Sequence, residues 1–308
     1  MNAITEKVGG IQVFPEFSDI SMGMKQYIDR LLGINPPAAS EYTFTNMFIW
    51  RNLYKFEVCL MNESVCVRGV DRNNEVFYMV VARDADRYVD TVARLAGACG
   101  KDGAGIKLAR VEERYIETLK RTFPSMVPEL DRDNGDYVYL TSDLIALKGR
   151  KYDGKRNHIK RFKERYAAAY VDITDTCQGL TGDCIDLTER WYRGKNDLSL
   201  GPDVAATREA LLHLGELGLK GSAIVIDGGV RAFSIAERLN PDTAVIHIEK
   251  YEPAYEGIPQ AINQYLCEHV CGSYKYINRE QDLGKEGLRR SKLSYNPAFM
   301  IDKYTVRV

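Results

Sequence analysis

The sequence predicts an α+β fold in two halves, each a mixed sheet flanked by helices, and three observations carry that prediction. The 308 residues exceed one small domain and suit two of ordinary size. Hydrophobic residues make up 45% and charged residues 28%, enough apolar surface to bury a core in each half. The order of three strands, helix, strand, helix and strand is legible twice along the chain.

Residues 15–33 carry an amphipathic pattern that ends at Gly33, ahead of Pro36-Pro37, and predict a helix. Alternating runs at 54–60, 64–70 and 75–81 are separated by Asn62-Glu63 and Asp71-Arg72-Asn73-Asn74, which predicts a three-stranded meander. A helix at 87–98, a strand at 106–109, a helix at 112–122 and a strand at 136–141 complete the first domain, 1–147. Residues 148–165 then hold nine basic and two acidic side chains, a net +7, with Ile159, Phe162 and Tyr166 at helical spacing. This basic helix and its lead-in open the second domain, 148–308.

In that domain helices at 179–193 and 204–217 precede strands at 222–226 and 230–239. Asp227-Gly228-Gly229 joins the two strands, a strong hairpin signal. The strand at 243–251 follows the turn Asn240-Pro241-Asp242. Residues 258–271 predict a helix with Pro259 in its first turn and Ile258, Ala261, Ile262, Tyr265, Leu266 and His269 on one face. A strand at 274–278, a helix at 285–293 and a strand at 299–306 close the second sheet.

A formal charge of -1 provides no global field for DNA or a membrane, so any polyanion contact falls to the local cluster at 148–165. Residues 1–10 hold no apolar stretch of a signal peptide. The apolar runs are strand-sized, short of the roughly 20 residues that span a bilayer, so no integral membrane association is expected. Seven cysteines, an odd number without an export signal, imply reduced thiols and a cytoplasmic location. Gly100-Lys101-Asp102 lacks the other residues of a phosphate-binding loop, and no Gly-x-Gly-x-x-Gly occurs. Cys267, His269 and Cys271 lie on the 258–271 helix without a second ligand pair, so no metal is expected. His247, between Ile246 and Ile248, is expected to be a satisfied interior histidine.

The junction from Glu252 to Pro259 places Gly257 just before a helix whose free backbone N–H groups and dipole suit an anion. Arg156 and Lys160 of the basic helix are the expected phosphate contacts. Asn278, Glu280 and Asp282 emerge where a strand ends, and Arg289 and Lys292 share one side of the next helix, so groups of both signs converge there.

Three stretches, LKGRKYDGKRNHIKRF at 147–162, YINREQDLGKEGLRRSKLSYNP at 276–297 and SEYTFTNMFIW at 40–50, resemble a bacterial family of uncharacterised proteins related to the catalytic domain of phosphatidylglycerol lysyltransferase. The resemblance covers nearly the whole chain. It implies a tandem GNAT-like fold shared with Fem-type transferases, which move an amino acid from aminoacyl-tRNA onto a lipid or a peptidoglycan precursor. By that likeness 255–261 is the counterpart of the GNAT donor loop, with Tyr255, Glu256, Gly257 and Ile258 expected at the donor. Residues 81–86, acidic at Asp84 and Asp86, imply that the first domain has no donor site. Glu249 or Glu280 is the expected base and Tyr295 the expected acid. The donor is acyl-CoA or aminoacyl-tRNA, with no tightly bound cofactor, and the acceptor an amine or hydroxyl. The competing readings are a catalytically silent anion- or nucleotide-binding protein of the same fold and an RNA-binding module built on the basic helix.

Overall fold

Two stretches of alternating apolar residues, 57–81 and 220–251, fold as three-stranded antiparallel meanders, and each seeds one sheet. The structure, a computed structural model, describes residues 9–100, 105–174, 178–195 and 198–308. Cys177 and residues 1–8, to which the signal-peptide reading applied, lie outside them. The strands are β1 (Gln12–Val13), β2 (Ser18–Asp19), β3 (Glu57–Met61), β4 (Ser64–Val70), β5 (Val76–Val81), β6 (Lys107–Glu112), β7 (Glu129–Leu130), β8 (Asp136–Leu140), β9 (Ala168–Ile173), β10 (Lys220–Ile226), β11 (Gly229–Arg238), β12 (Thr243–Tyr251), β13 (Tyr276–Asn278), β14 (Phe299–Ile301) and β15 (Lys303–Arg307). The helices are α1 (Lys25–Ile34), α2 (Phe44–Ile49), α3 (Arg51–Tyr54), α4 (Ala85–Cys99), α5 (Glu113–Thr122), α6 (Thr141–Ala146), α7 (Asp153–Arg165), α8 (Gln178–Lys195), α9 (Gly201–Leu212), α10 (Leu214–Leu217), α11 (Ile258–His269) and α12 (Glu286–Leu293).

The chain forms two compact units, Met1–Gly135 with Ile301–Val308, and Asp136–Met300. The first carries the sheet β1-β3-β4-β5-β6-β15-β7, with β2 also on β3. Its core packs α4 and α5 on the sheet through Val92, Leu95, Leu108 and Leu119, and Tyr88 stacks on Tyr115 with ring centroids 3.9 Å apart. Asp84 caps α4 by accepting the Arg87 N–H at 2.7 Å, so a carboxylate of the chain already occupies that helix start.

The second unit carries β14-β8-β13-β12-β11-β10-β9. Both sheets follow one order: an antiparallel meander, a parallel fourth strand (β6 on β5, β13 on β12) and an antiparallel closing strand. The closing strands are exchanged. β15, from the end of the sequence, pairs with β6 of the first sheet, and β8, from the first half, pairs with β13 of the second. The boundary therefore falls at Gly135/Asp136 instead of 147/148, and 299–306 divides into β14, beside β8, and β15, which leaves for the other sheet. Alternation identifies a strand but not its partner, because pairing joins residues far apart in sequence. The helix expected at 15–33 starts at Lys25, after the two short strands β1 and β2. β9, which the sequence reading left out, pairs with β10 along 168–173.

Candidate functional site

The parallel pairing of β12 with β13 runs from Thr243–Tyr276 to Val245–Asn278 and goes no further. Beyond Asn278 the chain turns through Glu280 at φ 56°. Parallel strands that part at their carboxyl ends leave the position where sheets of this kind hold ligands.

A bulge decides which side chains reach that position. Ile235 pairs with Ile248 and Ala236 with Ile246, so His247 is an extra residue in β12. Before it Ala244 and Ile246 pack with Leu266 and Cys267 of α11. After it the parity changes: Tyr251 joins Ile258, Ala261 and Ile262 of α11, and Glu249 accepts the Asn263 amide at 3.3 Å. Lys250 points the other way, to Asp203 and the Trp191 ring. Unbroken alternation would exchange Glu249 and Lys250.

Glu249 meets Arg279, the residue after β13, with both carboxylate oxygens 3.3 Å from Nη2. The guanidinium lies 4.8 Å from the Tyr295 ring centroid and 5.8 Å from that of Tyr139. Lys155, from α7, holds Nζ 4.1 Å from the Tyr295 centroid and donates to the Ser294 hydroxyl at 2.7 Å. Burial pushes the Lys155 amine below its usual range, and Arg279 adds to the effect. Burial pushes the Tyr295 hydroxyl up, so it keeps its proton. For Arg279 burial opposes the charge, but Glu249 and the tyrosine hydroxyls outweigh it and the guanidinium stays charged. Glu249 and Tyr295 thus come together through Arg279. Sequence reading missed Arg279, Lys155 and Tyr139; the available signal was the position of Arg279, directly after Asn278 at the strand end.

Glu280 lies in a separate arrangement. His247 Nδ1 is 2.8 Å from Glu280 Oε1 and Nε2 is 2.7 Å from Glu237 Oε1, with the histidine side chain 1% exposed. Burial opposes a charged ring, but the two carboxylates raise it to about 10, so imidazolium bridges two strands and the loop after β13. Asn278 donates to Asp136 at 3.0 Å and accepts the Glu280 N–H at 2.7 Å. Asp282 is fully buried. It receives Tyr137 Oη at 2.5 Å, Arg289 Nε at 2.9 Å and the Gly284 N–H at 2.8 Å. Burial works against the Asp282 carboxylate, yet these donors hold it well below the usual range. Lys292 donates to the carbonyls of Arg279 and Gln281, and burial pushes its amine down to about 8. Asn278, Arg289 and Lys292 therefore clamp the 278–285 loop that presents Arg279.

The loop between β12 and α11 is closed by the protein itself. Gly257 has φ +86°, and a Cβ there would lie 2.3 Å from the His158 carbonyl oxygen and 3.0 Å from Phe162 Cβ of α7. Glu256 pairs with Arg165 at 2.9 Å and Arg161 at 3.5 Å. Glu252 pairs with Arg231 at 3.1 Å and Arg190 at 3.4 Å. Tyr255 meets Tyr166 edge-on at 5.1 Å, its carbonyl accepts the Ile258 N–H at 3.2 Å, and the Ile258 side chain is buried in the core. Arg161 and Arg165 carry the ion pairs from α7 to this loop. Arg156 donates to the carbonyls of Leu147 and Gly149, and Lys160, 75% exposed, lies 3.8 Å from Glu164.

The described cysteines are free, and no described helix is long and apolar enough to cross a membrane. A family profile for the C-terminal region of phosphatidylglycerol lysyltransferase matches residues 34–307. A conserved protein of unknown function from Bacteroides thetaiotaomicron superposes with a TM-score of 0.86 at 29% identity, over 95% of this chain and 99% of its own. L-PGS from Bacillus licheniformis gives 0.65 at 14% identity, over 92% and 91%, and FemX gives 0.56 at 9%, over 94% and 96%; these two likenesses concern the fold, a tandem GNAT-like arrangement. An uncharacterized protein of Mycoplasmoides gallisepticum is 26% identical over 211 residues, which is 67% of this chain and 64% of the relative's length. On the match that spans residues 34–307, the chain belongs to the phosphatidylglycerol lysyltransferase C-terminal family.

Proposed function

We propose that the chain transfers an aminoacyl group from a tRNA-borne ester to an amine or hydroxyl acceptor where β12 and β13 part. The observation that carries this is the cluster of Glu249, Arg279 and Tyr295 at the parted strand ends, beside the basic helix α7. Family membership supports transfer of an amino acid. The loop before α11 supports tRNA over coenzyme A, because α7 packs against Gly257, with the His158 carbonyl oxygen 2.3 Å from where a Cβ would lie, and fills the place a pyrophosphate would occupy.

In this reading the acceptor nitrogen or oxygen attacks the ester carbonyl carbon and forms the new bond. Its proton passes to Glu249, the bond from carbonyl carbon to ribose oxygen breaks, and that oxygen takes the Tyr295 proton. Glu280 is held by His247 and serves the scaffold.

The test follows labelled aminoacyl-tRNA, from a mixed pool, into amine- and hydroxyl-bearing extracts. Transfer is expected, with Glu249→Gln slower by about a hundredfold or more and the protein still folded. The pair Lys160→Glu and Lys163→Glu should weaken tRNA binding and flatten its salt dependence; Arg156→Glu is unsuited because its guanidinium holds backbone carbonyls. Consumption of acyl-CoA with aminoacyl-tRNA untouched, or tRNA binding without transfer or deacylation, would overturn the proposal.

A further inference from the structure

Arg279 is incompletely satisfied in a buried place. Its contacts to Glu249 are long, both at 3.3 Å and both from Nη2, where charge-assisted pairs usually close to about 2.8 Å. Nη1 is buried and has no hydrogen-bond partner among the described residues. Lys155 adds a second cation on the same ring of Tyr295, 4.1 Å from its centroid, and its amine donates to a neutral hydroxyl, that of Ser294. Glu249 is the carboxylate that bears on both cations. Two cations against one carboxylate leave one positive charge unmatched, and the lack is costly at Arg279 Nη1, which is buried.

We infer that one oxyanion of a substrate, a carboxylate or a phosphoryl group, binds between Arg279 Nη1 and Lys155 Nζ beside the Tyr295 ring, completing the charge balance of the cluster. The inference takes this cluster to be the substrate site, as the transferase reading does, but equilibrium binding tests it without any transfer. The group would seat the substrate against Glu249, which lies on the other side of the same guanidinium. Sequence alone does not reveal it, because Lys155 and Arg279 are 124 positions apart by their numbers and neither stands out from the basic residues around it.

The experiment is calorimetric titration of the full chain with acetate, inorganic phosphate and methyl phosphate at constant ionic strength. Saturable binding of at least one is expected. Lys155→Gln, a half-buried change that leaves the Arg279–Glu249 pair in place, should weaken it about tenfold, the loss of one charge-assisted contact. Glu249→Gln frees the guanidinium of its internal competitor and should tighten binding, while Lys120→Gln on the exposed face of α5 should leave it unchanged. Preference for acetate would identify a carboxylate-bearing substrate, and preference for methyl phosphate a phosphoryl group. No saturable binding, equal affinity in wild type and Lys155→Gln, or a loss in Lys120→Gln as large as that in Lys155→Gln would overturn the inference. Failure here with transfer intact would remove the anion subsite alone; binding intact without transfer would remove the proposed reaction alone.

Discussion

His247 shows how one inserted residue serves both geometry and charge. As the bulge in β12 it sets which side chains face α11, and as an imidazolium it ties Glu237 to Glu280. Its folded-state value of about 10 stands above the ordinary 6.5. A raised value means that the stabilisation is fully present below pH 6.5 and is lost as pH rises from there towards about 10. Denaturant unfolding between those limits should therefore show a steeper loss of stability in wild type than in His247→Gln. Parallel curves would show that the ring is not charged in the folded protein. A satisfied interior histidine was legible from its apolar neighbours; its two carboxylate partners were not, since Glu237 and Glu280 come from other segments of the chain.

At the scale of elements, α7 and the loop before α11 define each other. The sequence makes Gly257 conspicuous, and both an anion at the backbone and a packed helix demand a residue without Cβ. The structure has α7 there, with the His158 carbonyl 2.3 Å from a Cβ at Gly257 and φ at +86°. Gly257→Ala should lower stability by about 1–3 kcal/mol, the usual cost of such strain, read as a fall in melting temperature. An unchanged melting temperature would show that α7 does not seat on the loop. The bounds of β12, 243–251, were legible to the residue, and the helix at 258–271 nearly so. The facing of Glu249 was not, because a bulge leaves the apolar pattern intact while reversing the parity beyond it.

For the whole molecule the exchange of closing strands matters most. Lys303 of β15 is fully buried and pairs with Glu41, which Arg110 also meets at 3.1 Å, and Arg110 continues to Asp131 at 2.8 Å. Lys303→Ala removes one of the two cations on Glu41 and leaves Arg110 as the other, so it should destabilise the first unit by less than the ~3–5 kcal/mol of a fully stranded buried charge. The second unit should be unaffected. Hydrogen exchange resolved by segment would check this: faster exchange in β4 to β6 with β10 to β12 unchanged is expected, and uniform protection would show that β15 does not secure the first sheet.

Local spacing determined the two meanders, the helices that follow them and their repeated order, because amphipathic period and turn residues act over a few positions. It also exposed the family likeness and, around the candidate site, Glu249 and Tyr295 with the clamp residues Asn278, Arg289 and Lys292. Only the tertiary structure decided which strand closes which sheet and which cations meet Glu249. β8 and β15 each carry strand-forming sequence, and either could pair with a parted parallel edge. The choice rests on contacts between residues distant in sequence, Tyr137 with Asp282 at 2.5 Å in one unit and Lys303 with Glu41 in the other. Those buried polar groups must find partners on folding, and each strand supplies them in one sheet.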